Sequence, residues 1–472
     1  MEKKQLNYQE TERKRAVDLL KTTSLFNGAE TGGIIHGKPR DFALKDWKQN
    51  LWDKIRDDSI TYFDKNGIDW HIFARQGHIL SSQVCCINHL FPIRHDKENV
   101  LRLAKAVCNE FIDVLPINTD EYSPGYIQFE AVSDIDHFNE GKPTRGSNCT
   151  SVDALIYAVH KDGKKHMIPI EWKYTENYND EDKSIEDRQG EPKGNELRGK
   201  ERLKRYSKLI DDSRFLKKMT SYKNSIYFFE PFYQLMRQTL WAEQMIQHRE
   251  EERIKAVDYI HLHIIPNEND ELLYKMYKIS KKPLRESWLD NLNDKGKYII
   301  ISPMDFIKNI DNNKYNDLLN YLQKRYCGGK AEYILNRHCN IEHQDNNVFG
   351  GRKVVTKYNI NCFDEFDDLS SIGMDFGELF MKLNESCQYG QQGLFAPEVL
   401  ASENEIVCIV DFACTRNATA YAVFFDKKTN KITRKMPYRV FLKIYDSLLE
   451  SGYLNIAGNY WNILKDGVFK LD

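Results

Sequence analysis

"SVDALIYAVHKDGKKHMIPIEWKYTE" (residues 151–176) consists of two short runs rich in β-branched and aromatic residues, split by a polar segment around Asp162-Gly163. This pattern predicts a β-hairpin. Strand side chains alternate faces, so Glu171 and Lys173 point one way while Ile170 and Trp172 point the other. With an odd loop length, positions 153 and 171 are symmetric about residue 162, which puts Asp153 opposite or diagonal to Glu171 on the same face. An even loop would break that relation unless a bulge intervened. Two carboxylates brought together in a buried hairpin repel one another, and burying them costs several kcal/mol unless a cation neutralises them. A divalent ion does so. Mg²⁺ takes one or two carboxylates, keeps several waters and leaves room for a phosphate oxygen. A neighbouring lysine can position an attacking water or stabilise developing charge. The donor set therefore suits phosphodiester hydrolysis. A buried ion pair that stiffens the sheet is the alternative, although such pairs stabilise weakly.

The remaining sequence sets limits around this hairpin. A chain of 472 residues exceeds what a single hydrophobic core usually serves, so two domains are expected. Hydrophobic residues at 41% and charged residues at 29% describe an ordinary globular protein, and a formal net charge of −2 requires any nucleic-acid-binding surface to be local. The N-terminus is charged and lacks an apolar core, and no long uncharged apolar run follows, which predicts no export and no membrane span. Ten cysteines without a regular framework read as reduced thiols in a cytoplasmic location.

Along the chain, residues 1–75 read as mostly helical, "HILSSQVCCINHLFPI" continues the helical pattern, and "KENVLRLAKAVCNEFIDVL" reads as an amphipathic helix ending before Pro116. "GYIQFEAV" is strand-like, and residues 177–195 are polar and too long for a routine connection. "NELRGKERLKRYSKLIDDS" predicts a basic helix, "FYQLMRQTLWAEQMIQHREEERI" a long amphipathic one and "VDYIHLHIIP" a further strand. A helical segment capped by Ser302-Pro303 runs to Gly328-Gly329, a credible domain end. Beyond it lie a hairpin within residues 405–436 and closing helices. The expected division is thus 1–328, with a core of about 70–328, and a C-terminal α+β domain, 329–472.

Asp153 followed a hairpin's length later by Glu171-Trp172-Lys173 resembles the signature of the PD-(D/E)XK nuclease superfamily. The wider pattern, "RGSNCTSVDALI" before "IPIEWKYTE" and then "GKERLKRY" and "FYQLMRQTLWAE", resembles its bacterial restriction-endonuclease-like branch over about residues 70–327. The resemblance implies an α/β core, a mixed central sheet flanked by helices. It implies a Mg²⁺ (or Mn²⁺) site with Asp153 and Glu171 as ligands and Lys173 acting on the attacking water. A further acid often joins, with Glu130 as first candidate and Glu110 as the alternative. The implied activity is endonucleolytic hydrolysis of DNA, RNA not being excluded, in restriction or antiviral defence. The alternative function is a non-cleaving nucleic-acid-binding or scaffold subunit of a defence complex. The C-terminal domain would serve target choice, a homo-oligomer or a partner protein.

Several other residues could contact nucleic acid. Residues 193–218 hold ten Lys or Arg against four Asp or Glu, whereas 176–191 hold seven acids and two bases. Arg198, Arg202 and Arg205 recur at near-helical spacing beside Lys200 and Tyr206, a stripe that could neutralise phosphates while Tyr206 packs or stacks. A solvated helix face is the plainer reading. Gln234, Arg237 and Gln238 could present amides and a guanidinium to the metal site or to a phosphate. Arg145 could reach phosphate or cap its loop. Ser82, Gln83 and Asn88 are polar positions in an apolar helix, read equally well as satisfied core groups. Cys327, His338, Cys339, His343 and Cys362 fit none of the common paired zinc spacings, and Asp411 and Arg416 read as surface or structural.

Overall fold

The computed structural model describes residues 7–26, 28–117, 125–140, 149–186 and 197–327, together with short strand segments between 348 and 469. The chain separates into two compact units, Met1–Ala331 and Glu332–Asp472.

The first unit is built on a mixed sheet. Its N-terminal part carries a separate antiparallel pair, β1 (Thr31–Ile35) and β2 (Lys38–Leu44). The main sheet contains β3 (Phe111–Val114), β4 (Ile127–Ala131), β5 (Val152–His160), β6 (Lys165–Trp172), β7 (Asp258–Tyr259), β8 (His261–Ile264) and β9 (Tyr298–Ile301). β5 pairs antiparallel with β3, β4 and β6, while β6–β7, β6–β8 and β8–β9 are parallel. The strands β5 and β6 are nearly continuous apolar runs because helices cover both faces. Ala154, Ile156, Ile168 and Ile170 pack on the side of the Ser82–Leu90, Lys97–Val107 and Asn312–Tyr326 helices. Leu155, Tyr157 and Met167 pack on the side of the Leu197–Asp212 and Phe232–Gln247 helices. Asp153 and Glu171 share the parity of this second set, so the hairpin delivers them to the face covered by the Phe232–Gln247 helix.

Three expectations require correction. Residues 1–75 are not mostly helical: β1 and β2 form a hairpin whose turn, His36-Gly37, has positive φ at both residues, 51° and 72°. Its strands contain Gly32, Gly33 and Pro39, which weaken the local β signal, and main-chain bonds from outside fasten it, Leu44 N–H to Gly77 O and Ile79 N–H to Phe42 O. The amphipathic helix beginning at Lys97 ends at Val107 rather than before Pro116, because Phe111–Val114 is recruited as an edge strand against β5. The Ser302 segment is two helices, Pro303–Ile307 and Asn312–Tyr326, each with its own side-chain cap, from Ser302 and Asp311.

In the second unit, strands Val399–Ala401, Glu405–Asp411, Ala420–Asp426, Ile432–Pro437 and Asn455–Gly458 form an antiparallel sheet. The expected hairpin is thus part of a three-strand meander. The expected closing helices lie outside the described residues.

Burial of the histidines makes the fold sensitive to acid. Burial pushes His78 down to about 4 and His89 and His261 down to about 3, so all three fold neutral. The unfolded chain takes up protons near 6.5, so their stabilisation is complete above that pH and is lost progressively as pH falls toward 3, at about 1 kcal/mol per pH unit for each group. Denaturant unfolding at pH 7 and pH 5 should differ by several kcal/mol; equal free energies would mean that these imidazoles fold protonated.

Candidate active site

The hairpin turns through Lys161, Asp162 and Gly163, with His160 N–H donating to Lys164 O at 2.9 Å and Gly163 N–H to His160 O at 2.8 Å. Gly163 has φ 81°, the left-handed residue that a three-residue hairpin loop requires. The β5–β6 register runs without a slip from Val159↔Lys165 to Ala154↔Ile170. One step further, Asp153 stands across from Glu171. The Asp153 carboxylate accepts the Trp172 N–H at 2.6 Å.

Glu171 is 3% exposed and Lys173 6% exposed, and their side chains meet at 2.5 Å. The Phe232–Gln247 helix supplies two amides one turn apart. Gln234 Nε2 donates to Glu171 at 2.7 Å, while its Oε1 accepts from Lys173 Nζ at 2.8 Å. Gln238 Nε2 donates to the other Glu171 oxygen. Of the proposed helix residues, Gln234 and Gln238 thus touch this carboxylate directly.

Glu130 lies in β4 with φ 45°, a left-handed conformation that costs a non-glycine residue energy. Its carboxylate is buried and accepts from Gln83 Nε2 at 2.6 Å and Ser151 Oγ at 3.2 Å. Gln83 also accepts the His71 N–H at 2.8 Å. The other acid candidate, Glu110, is at the opposite end of the hairpin, where it contacts His160 and Lys161. It cannot join Asp153, because its partner His160 is seven positions along β5 from that residue, about 23 Å of strand.

The electrostatics of the pocket are unbalanced. Burial, reinforced by the carboxylates of Glu171 and Glu130, pushes the Asp153 carboxyl well above its ordinary range. Burial alone would favour a neutral amine at Lys173, but the adjacent Glu171 carboxylate outweighs it and holds the lysine well above its usual value. A divalent cation beside these groups would offset the burial and mutual repulsion that favour a neutral Asp153 carboxyl, and the oxygen donors suit a hard ion. Glu130, Asp153 and Glu171 do not close into a set with all ligand atoms within 4.8 Å. Among the described residues the sets that do are Cys108, Glu110, His160 and His160, Asp162, His166, at the turn end.

The residues expected to contact nucleic acid disperse. Tyr206 is fully buried and its hydroxyl donates to Glu140 at 2.7 Å, so it packs and presents no stacking face. Arg202 donates to Glu186 at 2.7 Å and lies over the Tyr233 ring, which diverts it from the expected stripe. Arg198 approaches Glu186 at 3.6 Å, Lys200 is exposed, and Arg205 lies half-buried over Tyr206. Arg237 turns away from Glu171, donating to Thr150 Oγ1 at 2.8 Å and to Glu140 at 3.2 Å. The Arg237→Ala variant should lose about 3 kcal/mol of stability, since it leaves Glu140 buried without its cation; denaturant unfolding within 0.5 kcal/mol of the parent would return Arg237 to the phosphate-binding candidates. Asn88 accepts the Trp52 N–H and donates to Asn50 O and Tyr326 Oη, a satisfied core group. Ser82 opens its helix behind the cap residue Ser81.

Arg145, His338, Cys339, His343, Cys362 and Arg416 lie outside the described residues. Cys85, Cys86, Cys108 and Cys327 are free thiols. Among the described residues no helix is long and apolar enough to cross a membrane. The sequence pattern carried no sign of the Gln83–Glu130 contact or of the Thr150–Glu140–Arg237 group, since each joins residues far apart in the chain.

A family model described as Restriction Endonuclease associating with ARP matches residues 3–327. No curated protein and no solved structure matches.

Proposed function

The chain belongs to this restriction-endonuclease family, and from that membership we propose that its first unit hydrolyses phosphodiester bonds of DNA in a divalent-metal-dependent reaction centred on Asp153, Glu171 and Lys173. The observation that supports this reading best is the meeting of Asp153, the buried Glu171 and the buried Lys173 at the open end of one hairpin, with the buried Glu130 on the neighbouring strand. Asp153 and Glu171 would hold Mg²⁺ or Mn²⁺, with Glu130 completing the acidic wall. When bound, the ion would polarise phosphate oxygens and make water a better nucleophile.

The chain's own residues have separable tasks. Gln234 and Gln238 orient the Glu171 carboxylate from the helix side, and Gln83 and Ser151 orient Glu130 from the other. Lys173, with Nζ donating to Glu171 and to Gln234 Oε1, acts as a donor that positions water and stabilises charge on the scissile phosphate. Lys200 and Arg205 supply phosphate-binding charge. The role in restriction or defence follows the family, and the partner called ARP in the family description would be a protein that this chain associates with. The second unit, which lies beyond the matched residues, would serve that contact or self-association.

Plasmid and linear DNA incubated with the full chain should be cut in Mg²⁺ or Mn²⁺ and remain intact with a chelator. RNA cut in place of DNA would replace the substrate, and failure to cut either, with or without the family's partner, would leave a non-cleaving binding subunit.

A further inference from the structure

We propose that Cys108, Glu110 and His160 form a second metal site, one for a borderline-soft divalent ion of the zinc class, at the turn end of the β5–β6 hairpin. The proposal does not depend on the nuclease reading. Cys108 ends the Lys97–Val107 helix, its N–H donating to Ala104 O at 3.0 Å. Glu110 follows two residues later, where β3 begins to pair with β5 through Phe111↔His160. The three ligand atoms lie within 4.8 Å of one another. They come from a helix end, a connection and a strand end, and no pattern in the sequence links them.

The histidine is oriented as a ligand would be. Its Nε2 lies 2.8 Å from Glu110 Oε2, while its Nδ1 lies 2.9 Å from Asp162 Oδ1 in the turn. Metal-bound histidines commonly have the second ring nitrogen held by a carboxylate in this way, which fixes the tautomer and the ring. A thiolate, an imidazole nitrogen and a carboxylate oxygen are the donor types of a zinc site, and solvent can supply a fourth. The Glu110 side chain is 41% exposed, so an ion can enter from solvent.

The simpler account is an imidazolium bridging two carboxylates. It explains His160, Glu110 and Asp162, but it gives no task to the Cys108 thiol, which adds nothing to an ion pair. A metal uses all four groups. Binding is redox-neutral: the ion displaces the proton on His160 Nε2 and the thiol proton of Cys108, and both pass to water. Lys161, which contacts Glu110 from an exposed position, would swing away. The result would be a staple joining the helix end and β3 to the hairpin turn, at the far end of β5 from Asp153.

The full chain, stripped with a chelator and dialysed, would be titrated with ZnCl₂ calorimetrically and with CoCl₂ spectroscopically. The expected result is a site with thiolate-to-cobalt charge-transfer absorption, weakened by roughly 10–100-fold in Asp162→Asn and lost in Cys108→Ser and His160→Ala. Glu171→Gln should retain it. Far-ultraviolet dichroism of the stripped variants controls for folding. Absence of binding by the parent chain, or absorption that survives in Cys108→Ser, would overturn the site; so would its loss in Glu171→Gln.

Discussion

Glu171→Gln should lower metal-dependent cleavage by roughly 1,000-fold while the protein stays folded. The substitution keeps the shape of a side chain that is 3% exposed; its amide oxygen can still accept from Lys173 and Gln234, while its NH2 meets Gln238 once that amide turns its Oε1 inward. It removes one of the negative charges that would hold the cation. Metal stabilisation of transition-state charge is worth several kcal/mol, and each 1.4 kcal/mol is about a factor of ten in rate, which gives that magnitude. Single-turnover cleavage in Mg²⁺, measured beside denaturant unfolding, checks it. Activity within a few-fold of the parent would move the chemistry elsewhere in the chain.

Lys173→Met should destabilise the first unit by about 3–5 kcal/mol, the usual consequence of leaving a buried charge without its partner. The lysine is the cation that touches Glu171, and Asp153 already feels burial and two neighbouring carboxylates. The corresponding fall in melting temperature is on the order of 10 °C. Mg²⁺ should restore part of it, about 2.7 kcal/mol at a hundredfold excess over the dissociation constant, because the ion replaces the missing positive charge. The parent should gain less from the same Mg²⁺. A variant as stable as the parent without metal would mean that the Lys173–Glu171 contact contributes nothing to the fold.

The two variants together separate charge from geometry. The first removes the carboxylate that would hold the cation; the second removes the ammonium paired with it. If both abolish cleavage but only the second lowers stability, the pocket behaves as a metal cradle and not as a structural ion pair.

Local pattern was enough for the hairpin itself. Two apolar runs around Asp162-Gly163 specify a turn, and a period of two then decides which side chains share a face, so Asp153, Glu171 and Lys173 could be grouped from sequence. The helices Leu197–Asp212 and Phe232–Gln247 were legible for the corresponding reason, a helical repeat of apolar residues. The β1–β2 hairpin and strand β3 were not legible, because each is stabilised by main-chain partners elsewhere in the fold and carries little signal of its own.

The choice among polar residues shows where local pattern stops. Sequence offered Glu130 first and Glu110 as the alternative without deciding between them, and only the strand order places Glu130 against Gln83 and Ser151 while sending Glu110 to the turn end. Gln234, Arg237 and Gln238 read as one helical face, yet packing sends the two glutamines to Glu171 and the arginine to Glu140 and Thr150. Tyr206 and Arg202 read as a nucleic-acid surface until the fold supplied Glu140 and Glu186 as partners. By itself the sequence determined the hairpin and the chemistry that its face can support, since strand alternation is a short-range property of the chain. Which distant carboxylate and amides join that face was decided only by the tertiary structure, since burial and long-range pairing select partners that no local spacing encodes.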